Sequence, residues 1–288
     1  LYYMKLSAVC YGRNDNYGGH FLESALYSIN SMLKTFDEVV YVDWNTEEGK
    51  KIVTDELHLE NRDKLCVFHV TPDIVEKITN GTPTPPMCEV LAKNIGIRRA
   101  TGDIICCVNL DVIVPPREHI DLMYQKLEVG DMITLTKQDV ELEDLKKHFG
   151  DKTDIQHLMP VIFGVWPIQK RLMIPILSMN KELMLKQPED NHHVCASIIQ
   201  ACGDFQIAHR KTWHEIRGFE EDMTRRLYHD TNVQYKVIMS GGKILASNTP
   251  HIYHIEHERN NTEENTNVIK HSYPSTNDED WGSIKYTI

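Results

Sequence analysis

Residues 92–116, AKNIGIRRATGDIICCVNLDVIVPP, decide how the rest of the chain is read. Just before and inside this stretch, Cys88, Leu91 and Ile95 stand at i, i+3 and i+7, the spacing of one apolar helix face. Gly102 is placed to supply the left-handed stop of that helix. Ile104 to Val108 (IICCV) follows as a short, unbroken apolar run, the composition of a central strand covered on both faces. The run ends on Asn109-Leu110-Asp111. Side chains two apart in extended backbone share a side, so Asn109 and Asp111 face the same way. Carboxylates at the carboxyl end of a parallel strand lie at the mouth of an open α/β sheet, where ligands bind. Asp111 is then either the ligand of a hard divalent cation that holds a diphosphate, or part of a strand-end turn.

On the amino-terminal side the pattern alternates. Lys5 to Cys10 reads as a strand, followed by the polar loop YGRNDNYGG (11–19). Phe21, Leu22, Ala25, Leu26, Ile29, Met32 and Leu33 mark a helix. Glu38 to Asp43 is a second strand, Glu47 to Leu57 a helix, Leu65 to Val70 a third strand, and Pro72 to Pro86 a loop. Strand and helix in alternation predict an α/β fold, a mostly parallel central sheet flanked by helices. Beyond Pro116 the pattern is mixed. Ile120–Leu127 and Asp139–His148 read as helices, Met132–Thr136 and Val161–Ile168 as strands. Lys211–Arg217 and Val233–Met239 are helical, and Lys243–Ile255 is extended and rich in histidine. After Arg259 the sequence turns polar and acidic, a loosely packed tail. This divides the chain into a nucleotide half (1–116), a partner-binding half (117–259) and a tail (260–288).

A formal charge of −11 argues against a general nucleic-acid or anionic-membrane surface, so a phosphate ligand needs local positive charge. The 7 cysteines follow no small-domain spacing and read as reduced thiols. No apolar run has the length of a membrane span and no signal peptide is evident, which together predict a cytoplasmic protein.

Four further candidates carry open alternatives. Asp43, closing a strand, is either a hydrogen-bond acceptor for a base N–H or a helix N-cap. Asp230, at the start of a helix, is either a general base for an acceptor hydroxyl or again an N-cap. His251, His254 and His257 are spaced by three without the HExxH arrangement of zinc proteases, and in an extended segment they cannot all face one ion. One of them joining Asp111 at a metal is the economical reading, against packed or surface histidines. Arg13, Lys93, Arg98 and Arg99 are the local cations; the arginine pair reads as a solvated helix face, and Lys93 as the better partner for a diphosphate.

The segments SAVCYGRNDNYGG, EVVYVDWN, AKNIGIRRATGDIICCVNLDVIVPP, GDFQIAHRKTWHEIRGFEED, YHDTNVQYKVIMSGG and HIYHIEH, in that order, resemble the GT-A-fold, inverting nucleotide-sugar glycosyltransferases. The resemblance implies a GT-A-like (Rossmann-like) sheet with a mixed acceptor-binding half. It implies Mn2+ or Mg2+ as cofactor, a UDP-sugar as donor, and a glycan or other hydroxyl as acceptor. By position, Asn109-Leu110-Asp111 matches the DxD element, with Asp111 on the metal. Asp43 matches the base contact and Asp230 the catalytic base. His254 matches a late histidine of the metal site, with His257 the nearby alternative. Apart from the resemblance, Tyr11, Arg13 and Lys93 join Asp43, Asn109 and Asp111 as candidates for the donor site. Trp213 and Gly218-Phe219 match the acceptor-side segment. Two departures stand out: Asn109 replaces the first DxD carboxylate, and His229 replaces the glutamate that precedes the base. The rival readings are a non-catalytic glycan-binding module, a sugar-phosphate nucleotidyltransferase lacking its glycine-rich loop, and a zinc hydrolase.

Overall fold

A computed structural model describes residues 3–150, 152–162, 177–179, 182, 203–225, 228–258 and 275–288. The amino-terminal half runs β1 (Leu6–Gly12), α1 (Phe21–Thr35), β2 (Glu38–Trp44), α2 (Val53–Glu56), β3 (Leu65–Val70), α3 (Pro72–Thr79), α4 (Glu89–Arg99) and β4 (Ile104–Val108). Then come β5 (Val112–Ile113), α5 (Arg117–Tyr124), β6 (Met132–Val140), α6 (Leu142–Phe149), α7 (Met159–Ile162) and β7 (Leu177–Met179). The last elements are β8 (Phe205–His209), α8 (Arg210–Glu215), α9 (His229–Met239) and β9 (Ile244–Ile255).

One sheet carries the strands in the order β3-β2-β1-β4-β8-β6-β9-β5, with β7 also paired to β9. The first four are parallel. Beyond them the sheet is mixed: β8 is antiparallel to both β4 and β6, and β9 is parallel to β6. Alternation along the central strands explains why they read as continuous apolar runs. Leu6, Ala8 and Cys10 of β1, with Ile104 and Cys106 of β4, pack against Ala25, Ile29 and Met32 of α1. Val9, Ile105 and Cys107 face the other way, onto Leu91 and Ile95 of α4.

Helix α4 lies flush on the sheet because Gly96 has no side chain; a Cβ there would stand 2.4 Å from Val9 Cγ1 and 3.2 Å from Val42 Cγ2. Gly96→Ala should therefore cost about 1–3 kcal/mol of stability by overpacking. Chemical denaturation would read this as a lower midpoint with an unchanged slope.

Several expectations are revised. Gly102 does not end α4; the helix stops at Ala100 in extended geometry, and Gly102 instead lets the chain pass Ser7, whose Oγ would lie 2.4 Å from a Cβ. The stretch 72–86 is not all loop. Pro72 sits in the first turn of α3 and Asn80 closes that helix in the left-handed region, two helix-end signals that outweigh the proline count. The helix expected over 47–57 shrinks to α2, since Gly49 takes a positive φ of 86°. Strand β6 runs on to Val140, where it still pairs with Ile255, so α6 starts only at Leu142. Of the strand expected over 161–168, residues 161 and 162 are the end of α7 and the others lie outside the described residues.

The tail is also packed where it is described. Trp281 is buried, and Glu220 receives hydrogen bonds from Ser275 and Thr276 while pairing with the buried Lys236 at 2.7 Å. Arg99 is no solvated residue: it donates to the carbonyls of Gly282, Ser283 and Tyr286. The acidic run thus ends on one aromatic anchor with buried partners waiting for it.

Candidate functional site

Strand direction decides which residues meet. The carboxyl ends of β1, β2 and β4 lie on one edge of the sheet. Because β8 is antiparallel to β4, it begins at that edge, and Asn109 N–H donates to the Asp204 carbonyl at 3.1 Å. The next two strands, β6 and β9, run parallel to β4 and so finish there, bringing Lys137, Asp139 and His254 alongside. Residue His254 pairs with Val112, the neighbour of Asp111. Together these ends line a cleft of about 260 Å³ that includes Asn109, Asp111, Lys137, Asp204, Asp230, His254 and His257.

Asp111, His254 and His257 form a compact group, one ligand atom from each lying within 4.8 Å of the others. Asp111 Oδ2 is 3.1 Å from His257 Nε2 and 3.6 Å from His254 Nε2. His257 Nδ1 bonds the Glu258 carbonyl at 3.0 Å, the way a metal-ligating histidine is oriented. His254 Nδ1 lies 2.9 Å from Asp139 Oδ1 but outside hydrogen-bond geometry. Asp111 Oδ1 is buried with no hydrogen-bond partner among the described residues. Burial works to raise the Asp111 carboxyl, but the hydrogen bonds and charges of the two histidines outweigh it and hold the carboxyl well below its usual range. One carboxylate and two imidazoles form a mixed N/O donor set that takes first-row divalent ions, Mn2+ and also Fe2+ or Zn2+ among them, with positions to spare for phosphate oxygens.

The loop after β1 helps to hold this group. Gly18, at φ +72°, packs its backbone on His257, whose Cβ would be 2.7 Å from a Gly18 Cβ. The Tyr17 ring meets the His257 ring edge-on, and His20 Nε2 contacts the Glu256 carbonyl at 2.9 Å. Neither Tyr17 nor His20 carries a motif; Tyr17 lies in the polar loop 11–19, and nothing in the sequence marks His20. His251 lies on β9, but its side chain is outside the described residues.

Asp230, in the first turn of α9, lines the same cleft. The N-cap of that helix is Tyr228, so the capping alternative for Asp230 falls away. Its Oδ1 accepts from Lys93 Nζ at 2.9 Å, and its Oδ2 lies 3.3 Å from His229 Nε2. Gly203 makes room for the carboxylate: a Cβ there would overlap Asp230 Oδ2 at 2.1 Å.

Lys93 is therefore not a cation offered to a diphosphate. It is 0% exposed, lies over the rings of Phe219 and Tyr11, and lies under the candidate base. Its ammonium is pushed up despite burial, because Asp230 and Glu89 face it. Glu89, unmarked in the sequence, ties the two sides together. Tyr11 OH stands 3.0 Å from Glu89 Oε2 and 2.8 Å from Asn109 Oδ1, and His229 Nε2 is 3.2 Å from the same Glu89 oxygen. Burial opposes ionisation of Glu89, yet the hydrogen bond and charge of His229, with the charge of Lys93, hold its carboxyl well below the usual range.

A carboxyl lowered on folding adds stability that is fully present above its unfolded pKa, about 4.3, and is lost as pH falls toward the folded value. Glu89→Gln should therefore flatten the acid limb of stability below about pH 4.3, measured by denaturant melts across that range.

Two expected donor contacts lie elsewhere. Asp43 is 0% exposed, accepts from Thr46 Oγ1 at 2.8 Å and faces His69 at 3.4 Å, and it does not line the cleft; burial raises its carboxyl. Arg13 turns to Glu47 at 3.2 Å and Asp15 at 3.7 Å. Trp213 and Phe219, expected on the acceptor side, are stacked core residues, with Trp213 Nε1 donating to the Ile105 carbonyl.

No protein-family model and no curated protein sequence matches the chain. Solved structures do. S. aureus TarS 1–349 is 15% identical, with 88% of this chain and 60% of that one covered at a TM-score of 0.51. GalNAc-T7 with UDP, GalNAc and Mn2+ is 12% identical, with 88% and 44% covered at 0.53. The mannosyltransferase PcManGT from Pyrobaculum calidifontis, in complex with GDP-Man and Mn2+, is 14% identical, with 90% and 59% covered at 0.49. The chain thus spans 44% to 60% of the length of these proteins. The likeness to TarS and GalNAc-T7 gives the chain the GT-A fold, as the resemblance in sequence implied. Among the described residues no helix is long and apolar enough to cross a membrane.

Proposed function

We propose that this protein is a metal-dependent glycosyltransferase that moves a sugar from a nucleoside diphosphate donor to a hydroxyl acceptor with inversion. The observation that carries the reading is one cleft, in a GT-A fold, lined both by the compact group Asp111, His254 and His257 and by Asp230. Asp111, His254 and His257 would hold the cation, Mn2+ or Mg2+. When bound, it supplies positive charge to the diphosphate oxygens. Asp230 takes the proton of the acceptor hydroxyl, whose oxygen attacks the anomeric carbon. The bond to the diphosphate breaks with its electron pair on the departing phosphate oxygen, and the anomeric centre inverts. Lys93 and His229 keep the Asp230 carboxylate in place from beneath. UDP is the nucleotide we assign first; the GalNAc-T7 structure of this fold holds UDP and Mn2+. Residues 1–116 form the donor half and residues 117–259 the acceptor half.

Slow donor hydrolysis tests this without knowledge of the acceptor. A panel of UDP- and GDP-sugars, with Mn2+ or with chelator, should show nucleoside diphosphate release from one donor only when metal is present. Release that ignores the chelator, or none from any donor, would overturn the proposal and favour a non-catalytic binding module.

A further inference from the structure

A leaving diphosphate needs positive charge, and the cations that stood out in the sequence are spent elsewhere: Arg13 on Glu47, Lys93 beneath Asp230, Arg99 on the carboxy-terminal carbonyls. Glu89, Asp111, Asp204 and Asp230 place 4 carboxylates on the cleft. Among the described residues that line it, Lys137 alone is a lysine or arginine.

Local structure aims this side chain. The pairing of β6 with β9 shifts register between Leu135 and Lys137, and irregularities of this kind re-aim side chains beside active sites. Lys137 Nζ lies 3.2 Å from Asp204 Oδ2 and 3.7 Å from Asp139 Oδ1. Both carboxylates are tied to the proposed metal group. Asp204 Oδ1 accepts from Asn109 Nδ2 at 2.7 Å, and Asp139 Oδ1 is 2.9 Å from His254 Nδ1. The ammonium therefore stands one carboxylate away from each flank of Asp111.

We propose that Lys137 binds the donor's diphosphate beside the metal and stabilises it as it leaves, and that Asp204 is the counter-ion that holds Lys137 until the donor arrives. This rests on the reading of the cleft given above. Lysine suits such a role, because a point charge on a flexible stem can turn from a carboxylate to a phosphate oxygen without moving the strand. Positive charge placed where negative charge develops is usually the largest single contribution to transition-state stabilisation.

The test is calorimetric titration of UDP, GDP, uridine and guanosine at saturating Mn2+. Lys137→Met should weaken the bound nucleoside diphosphate by about 10- to 100-fold, the loss of one charge-assisted contact, and leave the matching nucleoside unchanged. Lys137→Arg should stay within a few-fold of wild type. The double variant Lys137→Met with Asp204→Asn removes both charges and guards against misfolding and against an unpaired carboxylate; it should show the same loss. Recovery of wild-type affinity in the double variant would overturn the contact, since repulsion by Asp204 would then explain the single variant. If Asp111→Asn abolishes binding while Lys137→Met binds as wild type does, the lysine assignment falls and the cleft reading stands. If wild type binds neither nucleotide, or Asp111→Asn changes nothing, both fall.

Discussion

Asp230→Asn is expected to lower transfer by roughly 10²- to 10⁴-fold while leaving Mn2+-dependent UDP binding close to wild type. The amide keeps the shape of the carboxylate, so the contact from Lys93 Nζ at 2.9 Å and the fit against Gly203 survive. What is lost is the one cleft group proposed to take a proton. The change also leaves the fully buried Lys93 with a single carboxylate, Glu89 at 3.8 Å, so a drop in stability is expected alongside. Binding and melting must therefore be measured with the rate. A variant that binds UDP normally, melts above the assay temperature and still transfers at the wild-type rate contradicts the assignment of the base.

Asp111→Asn acts on the metal group. Groups that orient metal ligands from behind are worth roughly 10- to 100-fold in affinity, so losing a direct carboxylate ligand should cost at least about 100-fold in Mn2+ affinity. UDP binding should lose its dependence on metal altogether. His254 and His257 have Nε2 atoms within 3.6 Å of the same Asp111 oxygen, so replacing either should weaken the metal in the same direction. Titration of Mn2+ by its paramagnetic resonance signal reads all three variants. Equal Mn2+ affinity in Asp111→Asn and wild type would dismiss the group as a metal site.

The fold is legible wherever burial governs sequence. IICCV is a central strand because both of its faces are covered, and the α4 stripe is real because it packs on β1 and β2. Sequence misleads where one residue type serves two ends. Gly102 reads as a helix stop, but tertiary crowding against Ser7 is what requires it. The strand-end carboxylate at Asp111 and the helix-start Asp230 are visible because their own local elements place them. Lys137, Asp204 and Glu89 are not. The first two reach the cleft through the antiparallel insertion of β8 between β4 and β6, a register that no local pattern encodes. Lys93 misleads for the opposite reason: its position beside Asn94 is plain, but its burial against Phe219 and Asp230 depends on contacts more than a hundred residues away.

Crystals grown with Mn2+ and UDP, and in parallel with GDP, locate the ion by its anomalous signal. One strong peak is expected, coordinated by Asp111, His254 and His257, with the nucleotide's phosphates completing its shell. A peak elsewhere, or a nucleotide bound with no metal beside Asp111, would contradict the metal assignment.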